Sequence, residues 1–262
     1  MTSPTAGRWL PYGEPDLALP RVFCFPHAGG GAASFRPWLA AAGSRLAVCP
    51  VQPPGRAERF KEPFHRDVES YVDDIVDSAG HLLTGDYALF GHSAGALVAY
   101  RLAHRLVAQG RGPVHLFVSG RTAPHLSYAR QTLHDLPTAD LIPHLRVLGG
   151  TPDVVLDDPG LLEVFLPVLR ADFALNETYR HDGPPPLPIP LTAFGGADDP
   201  RAGPAELRAW RTLTAARFET HFYPGGHFYL DHHATSMLAV IRRAFKRNST
   251  VAKPVGEKFT VY

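Results

Sequence analysis

A Gly-His-Ser-Ala-Gly segment, Gly91–Gly95, constrains the fold of this chain more than any other feature. It follows the apolar, strand-like run Tyr87–Phe90 and precedes Ala96–Ala103, whose composition favours a helix. In a G-x-S-x-G turn between a strand and a helix the serine has φ > 0, and small residues two positions away let the strand and helix cross closely. The segment therefore predicts that Ser93 is an exposed nucleophile beyond the end of a strand.

Strand-like runs rich in Val, Phe and Leu recur along the chain, with segments of helical periodicity between most of them. The runs are Arg21–Phe25, Arg45–Val48, Tyr87–Phe90, Val114–Ser119, Leu191–Phe194 and Phe218–Tyr223. This alternation predicts an α/β fold with a mostly parallel central sheet and helices on both faces. The 262 residues are enough for one such domain.

The rhythm of strands stops between about residues 124 and 185. Two helical segments, Thr138–Leu148 and Asp158–Thr178, replace it, and a proline run leads back to the next strand. We predict that this insertion is a helical lid over the serine; ordinary helical packing without gating is the alternative. The end of the chain, about residues 248–262, extends past the last expected helix as an unassigned tail.

A histidine and an acid follow the serine in the chain order expected for a nucleophile, acid and base. Asp198 and Asp199 come after the strand-like run Leu191–Phe194, and His227 comes after the run Phe218–Tyr223. We expect His227 to be the general base and one aspartate to orient its ring. The spacing leaves Asp198 and Asp199 both open.

Two backbone N–H groups are needed to bind the oxyanion of an acyl-transfer reaction. Ala94 directly follows the serine, and Ala28 lies in the glycine-rich loop Phe25–Gly31 after the first predicted strand. We assign both N–H groups to the oxyanion hole. A nucleotide-binding loop is the alternative, but Phe25–Gly31 has neither the Walker Lys-Ser/Thr nor a complete G-x-G-x-x-G.

Three other histidines lie near His227, and we expect them to be packed or solvated. His221 lies inside a predicted strand, whereas His232 and His233 begin the next helix. His232, His233 and the adjacent Asp231 are possible metal ligands, but no second cluster in the sequence supplies the remaining ligands of a metal site. The sequence therefore predicts neither a metal nor another cofactor.

Charge and targeting features exclude several classes of function. The chain has 26 basic and 25 acidic residues, a balance that does not favour nucleic-acid or anionic-membrane binding. Met1–Leu10 lacks the pattern of a secretory signal, and no segment has the length of a membrane helix, so we expect a cytoplasmic protein. As a separate expectation, the protein is a monomer. We expect Cys24 and Cys49 to be buried free thiols rather than a disulfide.

Eight segments between Arg21 and Phe245 together form a specific family pattern. They are Cys24–Gly30, Ser34–Arg36, Gln52–Arg56, Phe90–Ala96, Leu148–Pro152, Phe165–Phe173, Gly196–Asp199 and Gly225–Phe228. In these segments the chain resembles stand-alone type II thioesterases of polyketide and nonribosomal peptide biosynthesis, which have the α/β-hydrolase fold. The resemblance implies that Asp199, the second aspartate of the Gly-x-Asp-Asp turn, is the acid of a Ser93–His227–Asp199 triad.

The resemblance also implies a substrate and a partner. Such enzymes hydrolyse acyl thioesters on the phosphopantetheine arm of acyl or peptidyl carrier proteins, and so remove stalled or aberrant acyl groups. The arm belongs to the partner, and the lid would form the acyl chamber. Arg121, Arg130 and Arg170 would supply a basic rim for an acidic carrier protein, or they are simply solvated surface arginines.

Three other functions fit the same motifs. A cytosolic esterase would use the same triad on oxygen esters, and an acyltransferase would exclude water from the second half-reaction. A hydrolase-fold binding protein would need no triad at all. The presence of the serine, histidine, acid and both candidate oxyanion loops argues against this third function.

Overall fold

A computed structural model describes residues 6–126 and 132–251. Its centre is a six-stranded sheet in the order β2-β1-β3-β4-β5-β6, in which every neighbouring pair is parallel. The strands are β1 (Arg21–Phe25), β2 (Ala47–Pro50), β3 (Tyr87–His92), β4 (His115–Ser119), β5 (Leu191–Gly196) and β6 (Phe218–Tyr223). The predicted α/β class with a parallel sheet is confirmed.

Helices cover both faces of the sheet. They are α1 (Ala6–Trp9), α2 (Arg36–Ala42), α3 (Val68–Ala79), α4 (Ala94–Ala108), α5 (Thr138–Leu148), α6 (Asp153–Asp157), α7 (Pro159–Glu177), α8 (Pro204–Arg208) and α9 (Leu230–Val251). Apolar side chains of α3 and α4 form a core on one face, and those of α2 and α9 form a core on the other. Strands β1, β3, β4 and β5 are buried along their whole length, which explains why they are apolar runs rather than alternating patterns.

The predicted strand positions hold, with small differences at their ends. The second strand begins at Ala47 rather than Arg45, because Gly43–Arg45 forms a 3₁₀ turn. Strands β3 and β5 each extend two residues further than predicted, to His92 and Gly196. The first extension ends directly before Ser93, and the second ends three residues before Asp199.

Three helices, α5 to α7, lie between β4 and β5 and share an apolar cluster. Helix α5 has the predicted bounds, whereas α7 begins one residue later than predicted because Asp158 is its N-cap and accepts from the N–H groups of Gly160 and Leu161. Sequence analysis missed α6, the five-residue helix between them. We call α5 to α7 the helical insertion.

Helix α9 continues through residue 251 and so includes the start of the segment that we had expected to be a tail. Residues 252–262 of that segment lie outside the described residues. Cys24 and Cys49 are buried and free, as predicted. Within the described residues, no helix has the length and apolar character needed to cross a membrane.

Candidate active site

Ser93 is the single residue between the end of β3 and the start of α4, and it has φ 55° and ψ −118°. A positive φ is unfavourable for a residue with a side chain, and here the surrounding backbone enforces it. A Cβ on Gly91 would overlap the backbone of Gly95, and a Cβ on Gly95 would overlap that of Phe25. The Ser93 N–H donates to the carbonyl oxygen of Ser119 on β4 at 2.8 Å. The turn therefore has the strained geometry that G-x-S-x-G predicts.

The loops after β5 and β6 bring an acid and a histidine to this serine. His227 Nε2 lies 3.0 Å from Ser93 Oγ, and His227 Nδ1 lies 2.8 Å from Asp199 Oδ2. Both His227 and Asp199 are buried, and Asp199 Oδ1 accepts from the N–H of Arg201 at 2.9 Å. Because a carboxylate accepts at Nδ1, that nitrogen carries the proton and the Nε2 lone pair faces the serine hydroxyl.

The neighbouring acid, Asp198, is exposed. Its backbone N–H donates to the carbonyl oxygen of Gly225 at 3.0 Å, which helps to join the two loops. Its carboxylate makes no hydrogen bond to His227 among the contacts of the described residues. The geometry therefore favours Asp199 as the acid.

Ala28 and Ala94 both line the pocket beside Ser93. Within the described chain, neither N–H donates to a protein acceptor. Ala94 is also the first residue of the fifteen-residue helix α4, whose N-terminal dipole favours negative charge. Two free donors beside the serine are what an oxyanion hole requires.

The pocket above Ser93 is largely apolar, and its cavity volume is about 30 Å³. The helical insertion contributes most of its apolar lining, which includes Leu145, Leu148, Leu169 and Phe173. Phe228, next to the histidine, closes another side, and a Cβ on Gly150 would overlap its ring. The insertion thus covers the serine with surface suited to an alkyl or acyl chain; whether it opens and closes stays a prediction.

Two further histidines, His27 in the pocket lining and His92 beside His227, were assigned no role by the sequence. His92 is fully buried, its Nδ1 is 2.9 Å from Ser119 Oγ, and that hydroxyl is 2.6 Å from the Tyr229 hydroxyl. Burial and the proximity of His227 hold the pKa of His92 well below its ordinary value. Burial also lowers the pKa of His27 to about 4. Both rings are therefore neutral near pH 7, and His92 packs 5.0 Å from the ring of His227.

The other candidate residues do not join the site. His221 is in β6 as predicted, and His233 Nε2 contacts the carbonyl oxygen of Pro224. Among the residues that the structure describes, no group of three or more His, Cys, Asp or Glu has a metal-binding arrangement.

The expected basic rim is wrong for one of its three arginines. Arg121 is buried and its guanidinium donates to the side-chain oxygen of Asn176, so it cannot contact a partner at the surface. Arg170 donates to the carbonyl oxygen of His134 at 2.7 Å, within the region of the insertion. Arg130 lies outside the described residues.

A family model described as "Thioesterase domain" matches residues 20–245. The chain belongs to the thioesterase family. It is 42% identical to the RedJ thioesterase of the prodiginine pathway in Streptomyces coelicolor, with a TM-score of 0.81 and 88% of each chain covered. It is 36% identical to BorB, a type II thioesterase from the borrelidin biosynthetic cluster, with a TM-score of 0.83 and coverage of 91% of this chain and 98% of BorB. The predicted α/β-hydrolase fold and the resemblance to type II thioesterases are confirmed.

One relative has a name that points elsewhere. Linear gramicidin dehydrogenase LgrE of Brevibacillus parabrevis is 40% identical over 224 residues, which cover 84% of this chain and 85% of LgrE. The family model and both solved structures are thioesterases, and the loop Phe25–Gly31 lacks the full dinucleotide-binding spacing. We therefore follow the thioesterase family and not that name.

Proposed function

We propose that this thioesterase hydrolyses acyl thioesters on the phosphopantetheine arm of acyl or peptidyl carrier proteins, and that it removes stalled or aberrant acyl groups from a synthase. The observation that carries the proposal is the line of hydrogen bonds from Asp199 through His227 to Ser93, beneath an apolar pocket. RedJ, from the prodiginine biosynthetic pathway, and BorB, from the borrelidin biosynthetic cluster, share the fold and support the proposal.

In the first half-reaction, Ser93 Oγ attacks the thioester carbonyl carbon while His227 Nε2 takes the hydroxyl proton. The N–H groups of Ala28 and Ala94 bind the oxyanion of the tetrahedral intermediate. The carbon–sulfur bond then breaks, and His227 returns the proton to the leaving thiolate. Asp199 fixes the tautomer of His227 and stabilises the imidazolium formed on the way.

In the second half-reaction, water attacks the acyl group on Ser93, and His227 takes a proton from that water. Collapse of the second tetrahedral intermediate breaks the ester bond and gives the proton back to Ser93 Oγ. The products are a free carboxylic acid and the original enzyme. These steps use only the triad, the two backbone N–H groups and water, and so need no cofactor. The phosphopantetheine arm is part of the substrate and belongs to the partner.

The lining of the pocket favours broad acyl tolerance. Leu145, Leu148, Leu169 and Phe173 offer non-directional apolar contact, which does not select one functional group on the acyl chain. Such tolerance suits an enzyme that clears varied aberrant groups. We further propose that the protein acts as a monomer in the cytoplasm, beside the synthase whose carrier proteins it serves.

The test measures release of the free carboxylic acid from one acyl group presented in three ways: on a phosphopantetheinyl carrier protein, on free pantetheine and as a matched oxygen ester. Wild type and Ser93→Ala are compared on each substrate. We expect Ser93-dependent release, fastest from the carrier thioester. A preference for the oxygen ester would identify an esterase, and acyl transfer to an added nucleophile in place of hydrolysis would identify an acyltransferase; either result would overturn the proposal.

A further inference from the structure

An ion pair that is largely but not fully buried lies beside the loop that carries Ala28. Arg56, in the segment after β2, and Asp172, on α7, form a two-pronged contact: Nη1 is 2.6 Å from Oδ2, and Nη2 is 3.0 Å from Oδ1. Their side chains are only 12% and 14% exposed. Neither side chain has a role in the mechanism described above.

Both partners of this pair also hold the backbone of the loop. Asp172 Oδ2 accepts from the N–H of Gly29 at 2.7 Å, and Arg56 Nη1 donates to the carbonyl oxygen of Gly30 at 2.9 Å. The peptide groups Ala28–Gly29 and Gly30–Gly31 are thus each held by a charged side chain from a distant segment. Hydrogen bonds with an ionised partner are stronger than neutral ones, so this is a firm attachment.

The attachment adds to a turn in which the N–H of Gly30 donates to the carbonyl oxygen of His27 at 2.9 Å, and it matters because the loop is rich in glycine. Gly29 has φ +78°, and glycine lacks the Cβ that restricts other residues. The peptide group between Ala28 and Gly29 is planar, so fixing the Gly29 N–H also fixes the ψ angle of Ala28. That angle helps to set where the preceding N–H, the Ala28 donor, points.

The charge of the pair is also suited to this place. An unpaired carboxylate beside an oxyanion hole would oppose the negative charge that develops there. Burial works to lower the pKa of Arg56, but the charge and hydrogen bonds of Asp172 outweigh it and raise that pKa. Arg56 therefore stays charged beside the carboxyl group, while one carboxyl oxygen still accepts from the loop.

We propose that Asp172 and Arg56 are positioning residues that hold the Ala28 N–H in place for the oxyanion. The inference rests on the proposed roles of Ser93 and Ala28. It also links two parts of the site, because α7 supplies Asp172 to the loop and Leu169 and Phe173 to the acyl pocket. The helix that shapes the acyl chamber thereby also fixes the oxyanion hole.

The main variant is Asp172→Asn, which keeps the side-chain volume and removes the charge. We expect kcat to fall about 10- to 100-fold with a much smaller change in KM, because a misplaced oxyanion donor weakens transition-state binding more than substrate binding. The affinity of an alkyl boronic acid, which forms a tetrahedral adduct on a reactive serine, should fall by a similar factor. Arg56→Lys, which keeps the charge, should lose less kcat than Arg56→Gln.

Glu177→Gln is the matched control. Glu177 is on the same helix and is also a buried carboxylate that accepts backbone N–H groups, but those of Leu133 and His134 rather than of the loop. Thermal unfolding should show that Glu177→Gln is less stable than wild type. In the binding assay, its boronate affinity should stay near that of wild type. Equal losses of boronate affinity in Glu177→Gln and Asp172→Asn would overturn the proposal, as would wild-type kcat and boronate affinity in Asp172→Asn.

Boronate binding also separates this inference from the proposed function. It requires a reactive serine and an oxyanion hole but no thioester. If wild type bound the boronate and hydrolysed no carrier thioester, the proposed substrate would be wrong. The effect of Asp172→Asn on boronate affinity would still decide the positioning role.

Discussion

At the scale of single residues, the site depends on backbone geometry that side-chain identity alone does not supply. Ser93 occupies a backbone conformation of a kind that costs about 1–3 kcal/mol, and the fold offsets that cost with close packing at Gly91 and Gly95 and a hydrogen bond to Ser119. This backbone conformation directs the serine hydroxyl out of the turn and towards His227.

The two adjacent aspartates should behave very differently when their charge is removed. We expect Asp199→Asn to lower kcat by about 10⁴-fold, because an amide at this position leaves His227 with the wrong tautomer. Asp198→Asn changes an exposed carboxylate and should alter kcat by less than about threefold. Steady-state kinetics of both folded variants checks this, and the opposite ranking would move the acid to Asp198.

Sequence reasoning selected Ser93 and His227 because each follows a strand-like run in the expected chain order. It left the two adjacent aspartates both open, and the family resemblance then favoured Asp199. Sequence reasoning did not find the contact between Arg56 and Asp172, which are 116 positions apart. Both residues lie in segments that carry the family resemblance, but no periodicity or spacing indicates that two such distant segments meet. That information exists only in the folded chain.

At the scale of secondary-structure elements, α7 connects the helical insertion to the rest of the molecule. Leu162, Leu169 and Phe173 pack within the insertion. Leu175, near the end of the helix, belongs instead to the core that α3 and α4 form on one face of the sheet. Asp158 was predicted to be helical, although an aspartate directly before a proline could be recognised as an N-cap. The five-residue α6 could not be recognised, because so short a helix shows no repeating apolar face.

Added bulk at the end of α5 should shift the acyl-chain preference. Leu148 lines the pocket, so Leu148→Phe should narrow it and lower kcat/KM for long acyl thioesters more than for short ones. The control, Val147→Phe, changes the preceding residue, which is 82% exposed. Competition between short and long acyl pantetheine thioesters measures the shift. An unchanged ratio for Leu148→Phe, or the same shift in both variants, would show that the insertion does not form the acyl chamber.

At the scale of the whole molecule, much of the architecture follows from burial. Strands covered on both faces must be apolar throughout, and the sequence predicted β1, β3, β4 and β5 because of this, whereas β2 and β6 are only partly buried. The order in which the strands pair was not predicted, since it depends on contacts between segments far apart in the chain. The start of β2 was also shifted, because the 3₁₀ turn Gly43–Arg45 was not recognised.

Buried neutral histidines should make folding sensitive to acid. Burial lowers the pKa of His115 to about 3, so below about pH 6.5 the unfolded chain binds a proton that the folded chain does not. The free energy of unfolding should therefore fall as the pH decreases from about 6.5, by roughly 1 kcal/mol per pH unit for this histidine. His92, whose pKa is also lowered, should act in the same direction.

The control for this pH dependence is His115→Gln, which cannot titrate. Urea unfolding of wild type and variant between pH 7.5 and about pH 5 gives both slopes. We expect the variant to lose less stability on acidification than wild type. Equal slopes would show that His115 binds a proton in the folded protein as readily as in the unfolded chain.

The central claim is that Ser93 carries the acyl group between the two half-reactions. Rapid mixing of enzyme with an acyl carrier protein, followed by acid quenching and intact-mass analysis with peptide mapping, tests it directly. We predict a transient mass increase equal to the acyl group, located on Ser93 in wild type and absent from Ser93→Ala, which should also release no thiol. Thiol release by folded Ser93→Ala at a rate near that of wild type, or an acyl adduct on another residue that forms and decays at the rate of turnover, would contradict the account.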